Sequence, residues 1–84
     1  MNINDAYLKA KEVKTEIDNC TEYENGFVFG CSKDNDFVGG GDHVPVVVLK
    51  EDGKVVNLPF FMTRGAGEEI KNFTVSADGI IKEV

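Results

Sequence analysis

The chain has 84 residues and a net charge of −6, with 15 acids against nine Lys and Arg. That length suits a single domain, residues 1–84, with one modest core and little room for a deep desolvated active site. A pI near 4.6 repels nucleic-acid phosphate, so the composition argues against DNA or RNA as a direct partner.

In chain order, the first twenty residues carry a helical pattern. Ile3, Ala6, Ala10, Val13, Ile17 and Cys20 recur at alternating spacings of three and four, which predicts one amphipathic helix with its apolar stripe on the core. Lys9, Lys11, Glu12, Lys14 and Glu16 then face water. Asn4 or Asp5 is the expected N-cap, and Asn19 and Thr21 are the stop signals. Glu24-Asn25-Gly26 predicts a turn in which Asn-Gly takes positive φ. Phe27–Cys31 follows as a strand, with Phe27, Phe29 and Cys31 on one face and Val28 and Gly30 on the other.

Asp36 to Pro59 is the most informative stretch. Three consecutive glycines, Gly39-Gly40-Gly41, precede an apolar run from Val44 to Leu49, and Glu51-Asp52-Gly53 is an Asp-Gly hairpin turn into a partner strand, Lys54–Leu58. Pro45 belongs at the strand's start, since it cannot donate to a ladder, and Pro59 ends the pairing. Phe60-Phe61-Met62 closes the core, Thr63–Gly67 is a loop, and Glu68–Asn72 is a short helical turn. Phe73–Val75 and Ile80-Ile81 flank Ala77-Asp78-Gly79 and form a last hairpin. The expected architecture is α+β: an N-terminal amphipathic helix packed on an antiparallel sheet of three to five strands, arranged as a hairpin meander.

The charge is concentrated. Residues 18–52 hold eight acids against Lys33 and Lys50, while the flanking segments balance. Within it, Asp34, Asp36, Gly39, Gly40, Gly41, Asp42 and His43 form the candidate partner-binding loop, acidic and pliable, suited to a basic protein. Other chemistries fit these residues poorly. A phosphate cradle needs a helix after the glycines and a Walker lysine, and neither follows. An EF-hand beginning at Asp34 would put Val38 and Pro45 where oxygen ligands are required. His43, the sole histidine, has no orienting partner for work as a general base beyond its neighbour Asp42, which a strand would turn to the opposite face. Cys20 and Cys31 match no zinc, haem or thioredoxin spacing and read as reduced, packed thiols. No catalytic residue, metal or cofactor is expected. No apolar run reaches membrane-spanning length and Asn2, Asn4 and Asp5 do not make a signal peptide, so the expected location is cytoplasmic.

Asp5-Ala6-Tyr7, Phe27–Cys31, Gly41, Pro45–Leu49 and Lys50–Leu58, taken in that order, resemble the small bacterial proteins grouped as the YrhB-like, or immunity protein 35, family. The likeness spans roughly residues 4 to 73 and consists of hydrophobic pattern and turn residues. It implies a single-domain α+β protein that neutralises a cognate bacterial toxin by binding and occluding it, without catalysis. The chain departs from the family in lacking the Trp expected near the first strand, where Phe27 or Phe29 stands. The alternatives are a phage or mobile-element inhibitor that uses the same acidity to imitate nucleic-acid charge, or a small structural domain.

Overall fold

A computed structural model describes residues 1–32 and 45–84. These residues form an α+β fold in the order α1 (Ile3–Lys11), β1 (Asn19–Tyr23), β2 (Gly26–Gly30), β3 (Val46–Leu49), β4 (Val55–Asn57), α2 (Leu58–Arg64), β5 (Glu69–Val75) and β6 (Ile81–Glu83). The strands make one antiparallel sheet of six, one more than the upper expectation, in the spatial order β4-β3-β2-β1-β5-β6. Strands β1 to β4 run as a meander to one edge. Helix α2 then carries the chain back, so that β5 pairs with the free side of β1 and β6 folds onto β5.

The predicted twenty-residue helix is cut to nine. Asn2, not Asn4 or Asp5, caps it by accepting a bond from the Asp5 amide at 2.9 Å. It ends before Val13, Thr15 and Ile17, whose β-branched side chains lose rotamer freedom in a helix. The residues read as a stop signal and the end of the stripe, Asn19 to Thr21, begin β1 instead. Cys20 does reach the core, from a strand opposite Phe29 and Phe73. Val13 is 51% exposed, whereas Lys14, expected in water, is only 1% exposed.

Strand alternation divides the packing between two faces. Phe27 and Phe29 of β2 join Cys20, Val48 and Val75 under Ala6 and Ala10 of α1. Val47 and Leu49 point the other way and pack with Phe61 and Ala66, beside Tyr23, Val28 and Val56. Burying side chains of this size contributes roughly 1.5–3 kcal/mol each. Ala6 and Ala10 bring α1 close to β2 and β3 because they are small.

The second helix was not expected. Asn57 caps it by accepting from the Phe60 amide at 2.8 Å, and Pro59 stands in its first turn, where a missing N–H costs nothing. Pro59 therefore ends the strand by starting a helix. The helix sorts Phe60-Phe61-Met62: Phe61 is buried, while Phe60 and Met62 are about half exposed. Gly65, at φ 107°, ends it. In place of the predicted helical turn over Glu68–Asn72, Glu68 leads into β5 and Glu69–Asn72 lie within it, held along β1 and tied by the Thr21 hydroxyl, which donates to Asn72 Oδ1 at 2.8 Å. The last hairpin is as expected, with Gly79 at φ 83° in the turn between β5 and β6.

Candidate functional site

Antiparallel register gives the sheet two ends of different character. One end holds the β1–β2 turn, the β3–β4 turn, the C-terminus of α2 and the start of β5. The other holds Asp18, Ser32, Pro45 and the end of β5. Asp34, Asp36, Gly39, Gly40, Gly41, Asp42 and His43 all lie outside the described residues. The chain enters and leaves that segment at the second end, through Ser32 and Pro45.

Ser32 is fastened there. Its amide donates to Asp18 Oδ1 at 3.0 Å and its hydroxyl to Oδ2 at 2.5 Å. The Asp18 backbone is itself fixed, donating to the Gly30 carbonyl at 2.9 Å and accepting from the Val75 amide at 2.8 Å. The Asp18 backbone thus joins β2 to β5 while its carboxylate holds the departing chain. The cost of removing such a charged acceptor is about 1.5–3 kcal/mol for a well-shielded bond and less here, where the groups are exposed.

The turn end collects acids that are remote in sequence. Glu22, Glu24, Glu51, Asp52, Glu68 and Glu69 stand there with Lys50, Lys54 and Arg64, with Lys71 opposite Glu22 and with Lys9 of α1, whose ammonium reaches the Gly53 turn. Two of the acids are paired: Lys50 Nζ lies 2.6 Å from Glu22 Oε2, and Arg64 Nη2 lies 3.2 Å from Glu51 Oε2. The first pair is about three-quarters shielded from solvent and its ammonium also sits 5.0 Å from the centre of the Phe27 ring. The second is exposed and adds little to stability. Glu24 holds the start of β5 by accepting from the Glu68 amide at 2.9 Å. Asn25 locks the end of α2 by donating from Nδ2 to the Gly65 carbonyl at 2.9 Å. Between these groups is an open hollow of about 390 Å³ lined by Glu24, Lys50, Glu51 and Arg64. These acids were missed as a group in the sequence because positions 24, 51 and 68 are far apart. Their common signal is a turn glycine close by: Gly26, Gly53 and Gly67 put their acidic neighbours at strand ends.

A second hollow, about 460 Å³, is mostly apolar and lies along the β4 edge, lined by Val13, Pro45, Val46, Val55, Val56 and Phe60. Phe60, from the run expected to close the core, is instead exposed here.

The Cys20 thiol is not placed as a nucleophile. Cys20 is fully buried, and burial, reinforced by the nearby Glu22 charge, pushes its thiol up to about 12. A thiolate is the reactive form, so this environment suppresses nucleophilic chemistry. Cys20 pairs with Phe29, which places Cys31, one residue past the end of β2, at a diagonal position. Diagonal partners stand roughly 7–8 Å apart, too far for a disulfide without moving backbone. Both cysteines are free. Among the described residues no His, Cys, Asp and Glu side chains gather as a metal-binding group of three or more. No helix among them is long and apolar enough to cross a membrane.

No protein-family model, curated protein or solved structure matches the chain.

Proposed function

We propose that this chain is a non-enzymatic binding module, a cytoplasmic inhibitor that occludes a basic protein partner, and that the partner is a bacterial toxin. The observation that supports it best is the acidic turn end. Six acids, set among Lys9, Lys50, Lys54, Arg64 and Lys71, are mounted on two hairpin turns and the start of β5, which hydrogen bonds hold in place. Preorganised charge of this kind steers a basic partner and suppresses wrong ones. The toxin assignment rests on the resemblance to the immunity family, and the turn-end acids extend the partner surface beyond Asp34, Asp36 and Asp42.

The test uses three immobilised proteins: the wild type, the Asp34→Lys/Asp36→Lys/Asp42→Lys variant and the Glu24→Lys/Glu51→Lys/Glu68→Lys variant. A basic protein retained by the wild type, eluted by salt and lost from at least one variant is the expected result. Equal retention by all three would remove charge recognition. The toxin assignment is read separately: the captured protein, expressed alone, halts growth, and co-expression of this chain restores it. A captured protein that is harmless when expressed alone would leave a binding module and end the immunity reading.

A further inference from the structure

We draw no further inference here: the strongest candidate, the apolar groove along the β4 edge between Val13, Pro45, Val55 and Phe60, carries none because nothing in the structure shows what covers it.

Discussion

Replacing Gly26 with alanine tests the packing between the sheet and α2. As the second half of Asn25-Gly26 this glycine is expected to supply positive φ, yet among the described residues the glycines that have it are Gly53, Gly65, Gly67 and Gly79. Its role is close approach. A Cβ at position 26 would stand 3.0 Å from Phe61 Cε1, 3.1 Å from Phe61 Cζ and 3.0 Å from the Val48 carbonyl oxygen. The Phe61 ring is buried and meets Tyr23 edge-on at 5.8 Å, and the Val48 oxygen belongs to a strand paired on both sides. Neither yields easily. Overpacking of this size costs about 1–3 kcal/mol. Removing a glycine returns about 0.4–1 kcal/mol through the unfolded chain. The net loss expected for Gly26→Ala is about 1–2 kcal/mol, or a melting temperature roughly 5–15 °C lower in a domain this small. Urea unfolding is the assay, with the midpoint falling and the slope unchanged. Repeating the substitution in a Phe61→Leu background removes the ring but leaves the Val48 oxygen, so the cost shrinks by at least about 0.5 kcal/mol without vanishing. A Gly26→Ala protein as stable as the wild type, with no coupling to Phe61, would refute the close-approach account.

Three further outcomes follow from burial. Phe61→Ala should cost about 3–5 kcal/mol, a large part of the stability of a domain this size, while Phe60→Ala on the adjacent, half-exposed position should stay within about 1 kcal/mol; equal losses in thermal unfolding would contradict the orientation of α2. Lys14→Ala removes a buried four-carbon stem together with its charge, and about 2–4 kcal/mol is expected, against almost none for the exposed Lys11→Ala; a difference below about 1 kcal/mol in urea midpoints would place Lys14 in solvent. The raised Cys20 value has a definite sign. The folded state holds the thiol proton more tightly than the unfolded state, so this group's stabilisation is complete below 9.0 and is lost as pH rises from there to about 12. Wild type should lose stability faster than Cys20→Ala over that window, by up to about 1.4 kcal/mol per pH unit, and parallel pH profiles would show the thiol to be solvated.

Local signals carried much of this fold, and the failures share a cause. The strands around Phe27–Phe29 and Val46–Leu49, the Asp52-Gly53 turn and the Asp78-Gly79 turn are legible because neighbouring residues determine them. The stripe at Val13, Ile17 and Cys20 was ambiguous: a spacing of three and four continues a helix on paper, but a short apolar residue such as Cys20 serves equally well on a strand. Glu68–Asn72 has no strong preference of its own, and pairing with β1 decides its conformation. Phe60-Phe61-Met62 showed apolar mass without direction until Asn57 and Pro59 were recognised as a cap and first turn. Of the candidate site, the seven loop residues lie outside the described part of the chain. The turn-end acids were invisible as a set because only antiparallel register brings positions 24, 51 and 68 to one end.

The chain from Asp18 to Glu24 runs the length of β1, six residues at about 3.3 Å each, so Asp18, which holds Ser32, stands roughly 20 Å from the turn-end acids. The screening length at physiological salt is about 8 Å. The Asp18 carboxylate therefore scarcely feels the acids of the turn end, and its hold on Ser32 does not depend on what those acids meet. Lowering the salt tenfold lengthens screening to about the strand itself. A charge reversal at Asp18 should then cease to add to one at the turn end, so ionic strength becomes the variable that decides whether the two ends of the sheet respond separately or together.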